Sequence, residues 1–141
     1  MPIITIKLAA LRPVENVERQ VAADIVRLST DILRKKPELT AVVVERVDPG
    51  TWFAGGASLA EQKASSFWLE IKVVDGTNTK DEKEAFVAAV FSRMRDLLGD
   101  LHHESYVHVH EVSADAYGFG GLTQERRYIE GKLGLPARAA A

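Results

Sequence analysis

Ile4, Ile6 and Leu8 alternate along the start of the chain with Ile3, Thr5 and Lys7, the two-residue period of a strand with one well-buried face. Val14, Val17, Val21, Ile25, Leu28 and Ile32 then recur at three- and four-residue spacing up to Lys36-Pro37. With Pro13 suited to a first helical turn, this predicts an amphipathic helix of about five turns. Thr40 to Val47 reads as a second strand, stopped by Asp48-Pro49-Gly50, where proline fixes φ and glycine admits turn conformations. One β-α-β unit is complete.

The same pattern returns 65 residues later without a gap from Pro2 to Gly56. Ile6-Lys7 pairs with Ile71-Lys72, Val42, Val44 and Val47 with Val107, Val109 and Val112, and Gly55-Gly56 with Gly120-Gly121. Ordered self-similarity over a whole supersecondary unit indicates duplication. Leu69, Ile71 and Val73 take the face of Ile4, Ile6 and Leu8. Thr79 and Glu82 fit a capping box ahead of a helix with Phe86, Val90, Met94 and Leu97 along its stripe, ended by Gly99. Ser105 to Val112 is the last main strand. Residues 1–64 form the first unit with the linker Ala57–Ser66 towards its end, residues 65–141 the second with its tail, and together they make one domain. Leu122 to Ile129 reads as a short closing segment and Leu133 to Ala141 as a frayed end.

The resulting fold class is α/β: tandem β-α-β units giving a four-stranded mixed sheet with two helices on one face. The other face carries Thr5 and Lys7, Trp68, Glu70 and Lys72, Ala41, Val43 and Glu45, and Tyr106, His108 and His110. Such a surface is too apolar for simple solvent and too polar for an ordinary core, so it predicts oligomerisation. A formal charge of −2 with interspersed signs offers no basic stripe for nucleic acid or anionic lipid. No apolar run approaches the ~20 residues of a membrane span and no signal-peptide pattern opens the chain, which makes a cytoplasmic protein the expectation. The absence of cysteine excludes disulfides, thiolate metal sites and cysteine nucleophiles.

Several residues carry a resemblance to the tautomerase superfamily. They are Met1-Pro2, Arg12 ten residues on, Lys36-Pro37 before the second strand, Gly55-Gly56 after it, and Tyr106-Val107-His108 on the last strand. The chain resembles a fused 4-oxalocrotonate tautomerase (4-OT) and is similar to macrophage migration inhibitory factor. The resemblance implies a homotrimer that needs no cofactor and acts on a small carboxylate or enol substrate. The implied reaction is keto-enol proton transfer on an enolisable 2-oxo or aromatic acid, with Pro2 as catalytic base once Met1 is removed. A free amino-terminal proline is a secondary amine whose pKa, about 8 for an α-amino group, falls with burial or nearby cations. If Met1 persists, Pro2 is acylated and has no such role.

By the same resemblance Arg12 orients a substrate carboxylate, for which a planar guanidinium is suited, and Lys36 contacts substrate. Tyr106, with His108 where the related protein has asparagine, serves a neighbouring subunit's proline. Two-residue spacing puts both on one sheet face. Trp52, Phe53, Tyr117 and Phe119 precede the Gly-Gly pairs and can wall the pocket. The arginine that 4-OT carries early in its second strand is replaced by Val43, which argues against a dicarboxylate held at both ends unless Arg46, Arg126 or Arg127 substitutes. Each residue also has a plainer structural use: Arg12 as a surface residue before a helix, Lys36 as a partner for a helix dipole, and the aromatic residues as subunit packing. His108 and His110 form a His-x-His pair with no clear third ligand, so no metal is expected. Phe67 stands where Pro2 stands in the first half and cannot supply an amine, giving one site per chain. Two alternatives stay open: a hydratase or dehalogenase with protonated Pro2 as acid and Glu45, Glu111 or Asp115 activating water, and a trimeric binding protein without chemistry.

Overall fold

A computed structural model describes residues 2–136 of the 141. Met1 and the end of the expected tail lie outside the described residues. Strand β1 (Ile3–Ala9) leads through helix α1 (Val17–Asp31) to β2 (Ala41–Arg46), and β5 (Ser66–Val74) through α3 (Lys80–Leu98) to β6 (Tyr106–Val112). β1 and β2 run parallel, as do β5 and β6, while β1 and β5 pair antiparallel, giving the order β2-β1-β5-β6. This is the expected mixed four-stranded sheet.

Each half ends in a further device. A hairpin of β3 (Phe53–Ala54) and β4 (Ala57–Ser58) runs into α2 (Leu59–Gln62), and a hairpin of β7 (Gly118–Phe119) and β8 (Leu122–Thr123) into α4 (Gln124–Lys132). The 65-residue offset carries β3 onto β7 and β4 onto β8. The stretch expected as a linker is therefore largely ordered structure. Two-residue strands are too short to show a period, and the sequence signal for α2 is a capping box, Ser58 with Glu61.

The core lies between the sheet and the two long helices. Ile4, Ile6, Leu8, Phe67, Leu69, Ile71 and Val73 meet Val17, Val21 and Ile25 of α1 and Phe86, Val90 and Met94 of α3, all within a few per cent of complete burial. Each such side chain contributes roughly 1.5–3 kcal/mol relative to exposure. Asp24 and Arg93 tie the helices together at 2.6 Å. Helix α3 begins on the expected Thr79–Glu82 capping box and ends at Gly99.

Helix α1 is shorter than its apolar pattern. Asn16 heads it in a left-handed conformation, so Pro13 and Val14 precede it, and Val14 packs on the core from the loop. At the other end Arg34 turns left-handed (φ 58°). The amide of Lys35 then reaches back to the Ser29 carbonyl at 3.1 Å, a helix stop more often made with glycine. Among the described residues no helix is long and apolar enough to cross a membrane.

Candidate active site

Pro2 begins the chain's path into the sheet and is buried. Its carbonyl accepts a hydrogen bond from the Ala41 amide at 3.3 Å. In the antiparallel register Ile3 faces Lys72, so Pro2 lies against the last residues of β5. A cavity of about 790 Å³ opens beside it. The end of α1 supplies Arg34, Lys35 and Lys36 to the wall, the end of β5 supplies Val74, the β7–β8 hairpin Phe119, and α4 Arg127 and Tyr128.

The cations in this wall are held differently. Arg34, 81% exposed, pairs with Glu82 at 2.7 Å. Glu82 also caps α3, and the backbone amide of Thr79 and the side chain of Asn78 hold its carboxyl below the usual carboxylate range. Arg127 donates to the Phe119 carbonyl at 2.9 Å and lies 3.7 Å above the Phe119 ring, a stacking geometry that arginine favours. Lys35 is partly buried and donates to the Thr77 hydroxyl at 3.2 Å. Burial lowers its pKa, against an opposing attraction from Glu82. Lys36 is exposed at the start of the 3-10 turn Pro37–Leu39.

Of the residues singled out in the sequence, Pro2 and Lys36 share this cavity with Phe119 and Arg127. Arg127 is thus the one of the three substitute arginines brought to Pro2. Arg46 pairs with Glu18 and Arg126 with Glu130. Tyr117 stands at the base of the β7–β8 hairpin, its carbonyl accepting from Gln124 at 3.0 Å and its phenol pKa raised by burial.

The other predicted residues sit at the opposite end of the sheet. Trp52, Tyr106 and His108 line a hollow of about 570 Å³ on the open face with Lys7, Phe53 and Trp68. There Trp68 Nε1 donates to His108 Nδ1 at 2.9 Å, and the Tyr106 and His108 rings stack 5.9 Å apart. Arg12 lies beyond the end of β1, 76% exposed and 3.1 Å from Asp100. One protomer therefore does not bring Arg12, Trp52, Tyr106 or His108 to its own Pro2. Lys35 and Tyr128 are cavity residues that the pattern of the sequence does not single out. Lys35 adjoins Lys36, and only the left-handed turn at Arg34 distinguishes the two.

Comparison with known proteins finds similarity in sequence and in fold. Residues 2–62 match the model of the tautomerase enzyme family. The probable tautomerase K2 of Dickeya dadantii (strain 3937) is 29% identical over 63 residues, 45% of this chain and 94% of that protein. A fused 4-OT solved as a symmetric trimer superposes with a TM-score of 0.75 at 10% identity, covering 89% of this chain and 98% of its own. A macrophage migration inhibitory factor-like protein from Entamoeba histolytica gives 0.68 at 18% identity, covering 84% and 94%. The resemblance holds, in sequence for residues 2–62 and in fold for 84–89% of the chain.

Proposed function

We propose that this tautomerase-like chain is an isomerase that moves a proton between carbon and oxygen of a small enolisable 2-oxo or aromatic acid, with Pro2 as general base after loss of Met1. The observation that carries the reading is the burial of Pro2 beside a cavity walled by Lys35, Lys36 and Arg127. Burial and neighbouring cations both disfavour a protonated amine, so a terminal secondary amine here is available as a base near neutral pH. It takes the proton from the enol oxygen or α-carbon and returns it to the other atom. Meanwhile the cationic wall holds the carboxylate and stabilises the developing oxyanion.

The working assembly in this reading is a homotrimer, as in the fused 4-OT trimer of the same fold. A neighbour's open face then completes the site with Tyr106, His108 and Trp52, and Arg12 comes from a neighbour in the same way. The half-exposed Tyr106 and Val43 on that face are what an unpartnered subunit surface leaves uncovered.

Ketonisation of phenylenolpyruvate by wild type beside Pro2→Ala tests the proposal. The substitution is expected to remove the roughly 10²–10⁴-fold contribution of a positioned base; equal rates would remove Pro2 from the mechanism. A second reading, hydration or dehalogenation, gains support from Glu125, a carboxylate in the cavity wall. Of the carboxylates expected for that role, Glu45 and Glu111 pair instead with Lys7 and Lys83, and Asp115 is not among the residues lining the cavity. Haloacrylate turnover lost in both Pro2→Ala and Glu125→Gln would favour it; no turnover by wild type would exclude it.

A further inference from the structure

The bond from Trp68 Nε1 to His108 Nδ1, 2.9 Å long, joins β5 to β6 on the open sheet face. An indole N–H can only donate, so the imidazole nitrogen that receives it carries no proton. His108 is therefore neutral here, with its hydrogen on Nε2, and the bond fixes both tautomer and ring orientation.

The groups around His108 decide what a second proton does. Tyr106 stacks on it at 5.9 Å and His110 follows at 5.8 Å. The charged side chains of the face are Lys7 on β1, Glu45 on β2, and Glu70 and Lys72 on β5. The segment closing the hollow adds Thr51, Trp52 and Phe53, none of them charged. Lys7 lies 3.9 Å from Glu45 and Lys72 3.9 Å from Glu70, so cations and carboxylates balance while both histidines are neutral. His110 Nε2, buried and without a hydrogen bond, is 3.5 Å from Glu70, which gives a charge on His110 a counter-ion. Glu70 is opposite His108 in the register but is engaged by Lys72 and His110 instead. A proton on His108 thus turns Nδ1 into a second donor set against the Trp68 N–H, and it adds a cation without a paired carboxylate. Such a charge is costly to cover with another protein surface.

We propose that the open face is an acid-sensitive contact between copies of this chain: the Trp68–His108 hydrogen bond keeps the surface neutral for docking, and protonation of His108 releases the partner. The inference rests on the trimer reading and adds its regulation. Equal numbers of lysines and carboxylates, beside the half-exposed Val43 and Tyr106, suit a second copy of the same face better than a strongly charged partner. In a cyclic trimer the contact occurs three times, so one proton per chain acts at three interfaces. Histidine ordinarily changes charge between pH 5 and 8, which places the release on mild acidification.

Sedimentation velocity over a range of protein concentrations, at pH 8 and pH 5.5, tests this in wild type, His108→Gln and His110→Gln, with circular dichroism recorded on each sample. Glutamine at position 108 keeps an acceptor for Trp68 and has no proton to gain. Wild type is expected to need about tenfold more protein for half-assembly at pH 5.5 than at pH 8, the scale of one hydrogen bond lost at each of three contacts, with its circular dichroism unchanged. His108→Gln is expected to assemble alike at both pH values, and His110→Gln to keep the acid step. Wild type equally trimeric at both pH values would overturn the switch and leave the trimer standing. An acid step of full size in His108→Gln, or one accompanied by loss of the circular dichroism signal, would also overturn it. Wild type monomeric at pH 8 would overturn the trimer reading and the switch together. Imidazole ¹⁵N NMR at pH 8 supplies an independent check: His108 with Nδ1 unprotonated and Nε2 protonated supports the lock, and the opposite tautomer overturns it.

Discussion

Leu59 and Gln124 occupy the same place in the two halves, 65 residues apart at the start of the helix after each hairpin, and they have opposite surroundings. Leu59 is completely buried among Ala9, Ala64 and the partly buried Trp52, whereas Gln124 lines the cavity beside Pro2. The duplicated architecture therefore has one end plugged and one end open. Phe67, also fully buried, takes the position equivalent to Pro2 at the plugged end. Leu59→Ala is expected to cost about 2–5 kcal/mol of folding free energy, as for other buried large-to-small changes. Urea denaturation measures it, and a cost below about 1 kcal/mol would deny Leu59 its role as the plug.

The start of α3 sets a second expectation. Thr79 accepts from the Glu82 amide at 3.1 Å while Glu82 accepts from the Thr79 amide at 3.0 Å. Thr79→Ala should destabilise the protein by about 1 kcal/mol. Glu82 titrates below its ordinary value of 4.5 in the folded protein. Its contribution is therefore fully present above the unfolded pKa and is lost as pH falls through the folded one. The stability gap between wild type and Glu82→Gln, followed by urea denaturation, should close as the solution is acidified; a gap that widened would contradict the assignment.

Assembly can be separated from folding at Val43, 48% exposed on the open sheet face. Val43→Glu changes little within one chain, since exposed substitutions usually stay within about 0.5 kcal/mol, but it places a carboxylate in the proposed subunit contact. Circular dichroism should be preserved while sedimentation velocity shows a shift from trimer to monomer, together with loss of ketonisation. A variant that remained trimeric and active would remove the open face from the interface.

Arg12 offers a test of the composite site. Its exposed pair with Asp100 contributes at most about 1 kcal/mol, so Arg12→Gln should leave chemical denaturation nearly unchanged. Activity on phenylenolpyruvate should nevertheless fall, through the neighbouring subunit's site. Unaltered kinetics would return Arg12 to the role of a surface residue.

Much of this architecture is legible in the sequence because it is periodic. Ile4-Ile6-Leu8 and Leu69-Ile71-Val73 announce buried strand faces, and Val21, Ile25, Phe86 and Val90 announce the helices above them. The hairpins are not legible, since two-residue strands hold no period, although Ser58 and Glu61 carry a readable cap. Periodicity overestimates helix α1 because Val14 packs into the core from a loop, and packing alone does not make a helix. In the site, Pro2 and Lys36 are legible through their resemblance to a family pattern. Lys35 is not, because its distinction from Lys36 depends on the left-handed backbone at Arg34 and on a hydroxyl 42 residues away at Thr77. Tyr106 is expected at a neighbouring subunit's proline and Trp52 on a pocket wall; strand direction places both at the far end of the sheet from their own Pro2, so their part in the site rests on the proposed trimer.

The most direct test of the central claim is a ¹⁵N NMR titration of Pro2 in protein labelled with ¹⁵N-proline, set beside the pH dependence of kcat/KM for phenylenolpyruvate. The account predicts one secondary-amine resonance, absent in Pro2→Ala, that titrates below the α-amino reference of about 8 at the same pH as the kinetic base. A Pro2 nitrogen that does not titrate, or one whose titration leaves kcat/KM unchanged, would contradict it.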